Sequence, residues 1–540
     1  MPRGFENEST YQKFLSSGNE SEFDRLFEQA AEAAKAKFGG RYPMYMGGKQ
    51  VYSAETLTET SPISSDIILG NFQKGTTENA REAIAAAAVA FKSWSETDYK
   101  ERAAIFTAIA GIFSREKFNL AAILSYENGK SRYESVGEVD EAIDFMRYYS
   151  NELLMNKGYV RKTKLASSGE KVSAGFQGAP SGGEDVSIRM RPYGVFGVIA
   201  PFNFPISISV GMSVGALITG NTVVFKPSST DNPTMLTGLK IYELFKQGGL
   251  PDGAFNYLTG PGSTVGDELA TNDAVSGIVF TGSKATGLGM MAKNFSQGKK
   301  KVFVMEMGGK NPVILGKKCN IDKAVTGVAS AAFGFAGQKC SALSRVYVHE
   351  SIKEMFVSKL IDKIRMFKVG NPLKKEIYLG PLISKNAFDT YTDAIAKARA
   401  GGRVLYGGNQ VSAGLKGYYV EPAIIEVRHD NDLVHRELFV PILSIEGYKH
   451  FDEALAMAND VQYGLTAGLY TDSKKEIKEF SNGIQSGVAY INREISATTG
   501  AIVGVHTFVG WKDSGLTGKG TGSKHYLQQF MREQSVSITK

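Results

Sequence analysis

The stretch Tyr193-Gly-Val-Phe-Gly-Val-Ile-Ala-Pro-Phe-Asn-Phe-Pro205 opens on a short apolar run, residues 195–200, that halts at a proline. Two further runs, residues 222–226 and 277–281, also close on Gly, Pro, Ser or Thr and lead into helical patterns. Unbroken apolar runs of this length suit strands covered on both faces, and strand followed by helix is the order of βαβ units around a parallel sheet. Upstream, residues 78–94, 100–118 and 136–149 are Ala-rich or carry apolar residues three and four apart, as amphipathic helices do. Downstream, residues 306–492 repeat the alternation, with helices expected at 352–367 and 386–400, enough for a second α/β domain. Residues 160–191 are polar, rich in Gly and Ser and partly alternating, which predicts a long exposed hairpin or arm.

Bulk properties agree with two or more domains. The chain has 540 residues, and single cores stop growing at roughly 250 to 300. Hydrophobic content of 42% and charged content of 22% are ordinary for a globular protein. No stretch approaches the roughly 18 uninterrupted apolar residues of a membrane span. The net charge of +7 is mild and interleaved, a solvated surface and not a nucleic-acid footprint. The first thirty or so residues carry Glu6, Glu8, Glu20, Glu22 and Asp24 and no apolar core, so neither a secretory signal nor a transit peptide is expected and the cytoplasm is the default location. Two cysteines, Cys319 and Cys340, and six scattered histidines offer no metal-ligand spacing, so no metal is expected.

Candidate chemistry sits in short motifs, each ambiguous alone. In Ala331-Ala-Phe-Gly-Phe-Ala-Gly-Gln-Lys-Cys340-Ser-Ala-Leu-Ser-Arg345 one thiol lies among small residues beside Lys339. A neighbouring cation lowers a thiol pKa and makes a nucleophile, while a buried Cys is equally often a small hydrophobe. Cys319 lacks such company and reads as structural. Glu306, in Met305-Glu-Met-Gly-Gly-Lys-Asn-Pro312, is placed to serve as a general base, though most Glu are merely solvated. Asn203 offers an amide to an oxyanion or simply makes a turn between prolines. Phe280-Thr-Gly-Ser283 leaves a strand and opens a helix, as phosphate-binding turns do, without being a full GxGxxG fingerprint. Lys226, in Phe225-Lys-Pro-Ser228, ends a strand and either bonds ribose hydroxyls or is only solvated.

Together and in this order, from about Tyr42 to the C-terminus, these motifs resemble the aldehyde dehydrogenase superfamily. That resemblance implies an α/β fold with a Rossmann-type NAD-binding domain, an α/β catalytic domain and a small β oligomerisation arm. The expected division is residues 1–159 and 192–305 for the nucleotide side, 306–510 for the catalytic domain, and 160–191 with 511–540 for the arm and C-terminal strand. It also implies a small-molecule aldehyde substrate, Cys340 as nucleophile, Asn203 with the Cys340 N–H as oxyanion holder and Glu306 as the base that hydrolyses the thioester. Lys226, Ser228, Ser229, Gly282, Ser283, Glu437 and Phe439 would hold the cofactor. Within the superfamily, Gly337-Gln-Lys-Cys340-Ser-Ala342, Ser344-Arg345, Thr499-Gly-Ala-Ile-Val-Gly504, Arg41-Tyr-Pro43 and Glu141-Ala-Ile-Asp-Phe145 are most similar to the 1-pyrroline-5-carboxylate dehydrogenase branch. There the substrate α-carboxylate would be gripped by Ser341, Gly500 and Ala501, with Phe204 and Phe508 walling its aliphatic part. A different semialdehyde or small aldehyde is the second reading.

The chain departs from that branch in places. Residues 492–501 read Asn-Arg-Glu-Ile-Ser-Ala-Thr-Thr-Gly-Ala, longer by three before the anchor loop. Thr507-Phe-Val-Gly510 stands for Pro-Phe-Gly-Gly, and Val440 stands for a Gly. Ser228 and Ser229 follow Lys226 where many NAD-preferring members carry a Glu, so NAD is expected and NADP stays open. The alternating C-terminal strand resembles one that pairs with the arm of a neighbouring subunit, which implies a homo-oligomer.

Overall fold

A computed structural model of the chain describes residues 5–165 and 184–539. Two seven-stranded sheets carry the molecule. The first runs, in spatial order, Val302–Glu306, Val275–Thr281, Val195–Ile199, Thr222–Lys226, Phe255–Tyr257, Met44–Met46 and Lys49–Val51. Its first five strands are parallel neighbours and the last two are antiparallel. The chain leaves its first parallel strand, Val195–Ile199, to one side and returns on the other at Val275–Thr281. Such a reversal opens a crevice beyond the carboxyl ends of the strands, where ligands bind in open α/β sheets. Every residue of Thr222–Lys226 is buried, as a strand covered on both faces requires.

The second sheet orders Arg403–Tyr406, Ala423–Glu426, Ile442–Tyr448, Leu343–His349, Asn311–Leu315, Thr466–Tyr470 and Val488–Ile491, all parallel except the first pair. Glu306 ends the last strand of the first sheet, so the crossover between sheets begins one residue beyond the expected boundary.

The helices follow the apolar spacing. Thr77–Trp94 begins at a capping box made by Thr76 and Asn79. Tyr99–Arg115 is followed at once by Lys117–Asn128, one element more than the sequence reading expected. Arg132–Met155 is longer at both ends than residues 136–149. It packs against Ser207–Ile218, a helix buried on nearly every side, whose Gly215 lets the rings of Tyr526 and Phe530 approach; a Cβ there would meet them at 2.8 Å.

The arm forms as an antiparallel pair, Val160–Leu165 with Glu184–Pro192, and its middle lies outside the described residues. Met531–Thr539 pairs with Glu184–Pro192 of its own chain, from Met531 opposite Pro192 to Thr539 opposite Glu184. This corrects the expected pairing with a neighbour's arm. Asn221 Nδ2 donates to the Phe530 carbonyl at 2.9 Å and tethers the strand start beside its own hairpin. Among the described residues no helix is long and apolar enough to cross a membrane.

Candidate active site

The site lies where the two sheets face each other, and each chemical group is set by a local reason. Asn203 follows the strand Val195–Ile199 and is only 4% exposed. Its main-chain carbonyl accepts from Lys130 Nζ at 2.6 Å. Lys130 is itself fully buried, ion-paired with Glu138, and its ammonium sits 3.5 Å from the Phe204 ring centroid and 4.8 Å from that of Phe335. Glu138 Oε1 in turn accepts from the N–H groups of Ile206 (2.8 Å) and Ser207 (3.2 Å). One buried ion pair therefore fixes the whole Asn203–Ser207 turn.

Cys340 stands in the turn before strand Leu343–His349. Behind it, Asn311 Nδ2 donates to the carbonyls of Cys340 (2.8 Å) and Ala342 (2.9 Å). Gly309 is required there, since a Cβ would come within 2.3 Å of the Cys340 carbonyl oxygen. Phe335 and Ala336 just upstream adopt left-handed φ values of 51° and 50°, a strain of the kind held at functional sites. The residue keeps some exposed surface, but its sulfur is deep enough that burial, then the carboxylates of Glu437 and Glu306, push the thiol up to about 12; the N–H groups of Ser341 and Cys340 oppose this. Lys339, expected to activate the thiol, instead pairs with Glu134 at 2.5 Å, so no net lowering results. Cys319 packs at the edge of the second core, as a structural cysteine would.

Glu306 has its Oε2 buried without a hydrogen-bond partner. Burial holds its carboxyl well above the ordinary range, with only the Gly510 N–H acting the other way. A carboxyl with an idle oxygen and high proton affinity beside a thiol suits a group that accepts protons from thiol or water. Glu437 is pushed up to about 7 by burial; the Gly309 N–H, donating at 2.7 Å, and Lys310 oppose the shift. The Met-Gly-Gly-Lys-Asn motif thus ties three segments into one knot: Gly309 to Glu437, Asn311 to Cys340, and the Gly308 carbonyl to Ser514 Oγ at 2.7 Å. Phe439, at φ 59°, meets Phe202 edge-on at 5.8 Å and joins the two walls.

The residues at the first sheet's carboxyl edge suit a dinucleotide. Lys226 is buried with its Nζ bonded only to the adjacent Pro227 carbonyl at 3.2 Å, and burial without a carboxylate partner pushes it down to about 8. A buried ammonium so poorly served fits a ligand rich in hydroxyls. Ser229 Oγ donates to the same carbonyl at 3.0 Å, while the Ser228 carbonyl accepts from Thr234. Ser283 caps the helix Lys284–Ser296 through Thr286 N–H, and this terminus opens just after Gly282 at the strand end.

The lengthened segment before Gly500 folds back on the site. Thr498 Oγ1 donates to the Ser341 carbonyl at 2.8 Å. Ser496 and Thr499 hydroxyls bond each other at 2.6 Å. Arg493, stacked 4.4 Å from the Tyr490 ring centroid, donates to the carbonyls of Thr499 (2.9 Å) and Gly500 (2.5 Å). Gly500, at φ 77°, occupies a backbone conformation that suits glycine, and Ala501 follows half-buried. Phe204 lines the Asn203 turn; Phe508 lies in a short bridge with Thr521 and makes no ring contact with the others.

The sequence reading missed Lys130, Glu138 and Thr498. Only Gly129, a left-handed helix C-cap just before Lys130, hinted that this lysine is aimed inward. His429, His435 and Asp460 bring ligand atoms within 4.8 Å of one another. His429 Nε2 already faces Asp460 at 3.0 Å, His435 Nε2 faces the His429 carbonyl at 2.8 Å, and buried Arg345 joins through Tyr347, so this trio is a hydrogen-bonded network beside a fixed cation.

A buried thiol, a carboxyl with an idle oxygen and a crevice at the carboxyl ends of a parallel sheet suit an oxidoreductase that takes a dinucleotide. The aldehyde dehydrogenase family model matches residues 51–536, and the chain belongs to that family. It is 35% identical over 520 residues to the 1-pyrroline-5-carboxylate dehydrogenase of Bacillus licheniformis, covering 95% of this chain and 96% of that one. It is 33% identical over 524 residues to that of Bacillus pumilus, covering 96% and 97%. The structure of 1-pyrroline-5-carboxylate dehydrogenase from Thermus with bound NAD aligns with a TM-score of 0.89 and 32% identity over 100% of this chain and 99% of that chain.

Proposed function

We propose that this chain oxidises L-glutamate γ-semialdehyde, the open form of 1-pyrroline-5-carboxylate, to L-glutamate with NAD. Cys340 loses its proton to water and attacks the aldehyde carbon. The Asn203 side-chain amide and the Cys340 N–H hold the resulting oxyanion. Bound NAD would supply the hydride acceptor for that carbon. Glu306 then draws a proton from water, whose oxygen attacks the thioester, and the thiol leaves with the acid formed. Lys226, Ser228, Ser229 and the Gly282-Ser283 turn would hold the adenosine and pyrophosphate end, and Glu437 with Phe439 the nicotinamide end. Ser228 and Ser229, not a carboxylate, stand just after Lys226, so NADP is proposed as a second cofactor.

The observation that carries the substrate reading is the Thr498–Ser341 hydrogen bond. It holds the lengthened loop against the nucleophile segment, which supports the reading that the Ser341 hydroxyl and the N–H groups of Gly500 and Ala501 would grip the substrate carboxylate. Similarity to proteins named 1-pyrroline-5-carboxylate dehydrogenase supports it further. The test is steady-state turnover with NAD against glutamate semialdehyde, succinic semialdehyde and glyceraldehyde phosphate. The highest kcat/KM is expected for glutamate semialdehyde, and preference for an aldehyde without an amino-acid end overturns the reading. The three-stranded arm sheet has outer edges with no strand partner among the described residues, and Ile538 on one of them is 61% exposed. Open edges of this kind favour pairing with another copy, so a homo-oligomer is proposed.

A further inference from the structure

The first residues described make a strap across the long helix Arg132–Met155 and reach the substrate loop. Thr10 donates to Asp140 through both its N–H (2.8 Å) and its hydroxyl (2.7 Å). Glu8 N–H donates to Asp144 Oδ1 at 2.8 Å, and the Glu8 carboxylate is met by Arg147 at 2.7 Å and Lys117 at 3.2 Å. Asn7 Nδ2 bridges two partners, Asp144 Oδ2 at 2.9 Å and the Val503 carbonyl at 3.0 Å. Phe5, only 6% exposed although it lies near the chain start, meets Tyr148 edge-on at 5.4 Å. These two rings close over Gly504, where a Cβ would come within 2.9 Å of Tyr148 and 3.2 Å of Phe5. Gly504 is pinned on its other side by its N–H to the Gly522 carbonyl at 2.9 Å.

The loop that follows Gly500 is therefore held at its far end by the N-terminal segment. Thr498 holds the near end against Ser341 and Arg493 holds the carbonyls of Thr499 and Gly500. Without the Asn7 link, the Val503 carbonyl has no described side-chain donor, and the far end of the loop is left with the Gly504–Gly522 main-chain bond and its packing against Phe5 and Tyr148.

We propose that residues 5–10 are a positioning strap for the substrate-carboxylate loop and that Asn7, bridging Asp144 to the Val503 carbonyl, is a specificity-determining residue. This rests on the substrate reading above. Asn7 touches no reacting atom, so it acts through the geometry of the Gly500 and Ala501 N–H groups.

The experiment uses the full chain with Asn7→Ala and Asn7→Asp. KM for glutamate semialdehyde is expected to rise about five- to tenfold, the scale of one misdirected hydrogen bond. kcat, NAD affinity and thermal midpoint should stay near wild type, and kcat/KM for propanal, which has no carboxylate, should not change. Asn7→Gln, which keeps the amide, is expected to recover part of the loss. If Asn7→Ala unfolds, the Asn7→Asp arm decides. An unchanged KM for glutamate semialdehyde, or a parallel loss with propanal, overturns the strap. Wild-type preference for propanal would instead overturn the substrate reading itself, so the two failures are distinguishable.

Discussion

Lys130 donates to the main-chain carbonyl of Asn203 at 2.6 Å, its ammonium 3.5 Å from the ring centroid of Phe204 and 4.8 Å from that of Phe335. The lysine is fully buried, and the turn that carries the Asn203 amide hangs on its bond. Lys130→Met is expected to lower kcat about 100-fold, the scale of losing one oxyanion donor. It should also destabilise the fold by about 3 to 5 kcal/mol, because Glu138 is left as an unpaired buried carboxylate. The pair Lys130→Met with Glu138→Gln should regain stability on thermal melting but not kcat. Full turnover by Lys130→Met would show that the turn holds its shape unaided.

Cys340→Ala is expected to abolish oxidation while NAD still binds, as read by quenching of protein fluorescence. The thiol takes part only in bond making, and nothing in the Lys226 or Ser283 region leans on it. Retained turnover would remove the nucleophile assignment.

Glu306→Gln should form the acyl-enzyme and then stall. A rapid-mixing trace is expected to show about one equivalent of reduced cofactor per site, followed by a steady rate about 100-fold or more below wild type. An unaltered steady rate would mean that some other group deprotonates the water.

The thiol in the cofactor-free protein is held up to about 12 by burial and by Glu437 and Glu306. Only the thiolate is alkylated. The sign follows directly: raising pH increases the reactive fraction throughout, so iodoacetamide labelling of Cys340 in a Cys319→Ser background should climb about tenfold per pH unit between about pH 6.5 and 9.5 without levelling. Glu437→Gln removes the larger of the two opposing charges and should move the curve to lower pH. A plateau near neutrality would reveal a pre-formed thiolate.

Much of the fold was legible in the sequence because strand and helix periods were clean. The runs at 195–200, 222–226 and 277–281 became neighbouring strands, and the Gly282-Ser283 turn became a helix cap. The chemistry was legible only as candidates, since a Glu or Cys in isolation carries no signal of its surroundings. What escaped was relational. Lys130, in the short link before the helix Arg132–Met155, and Glu138, on that helix, are eight residues apart, and nothing local says that their charges are buried together against Asn203. Lys339 misled for the same reason: adjacency in sequence suggested activation of Cys340, but its ammonium turns away to Glu134. The C-terminal strand has the alternation of an edge, which cannot reveal whose edge it joins.

The helix Arg132–Met155 presents Glu134 to the nucleophile segment, Glu138 to the oxyanion turn and Asp144 to the strap behind the substrate loop. At about 1.5 Å of rise per residue it acts as a ruler roughly 15 Å long between the first and last of these contacts. Changes confined to its Asp144 end should retune which aldehyde is accepted while leaving the chemistry at the Glu138 end intact. An engineer seeking new substrates would therefore begin there, far from the sulfur.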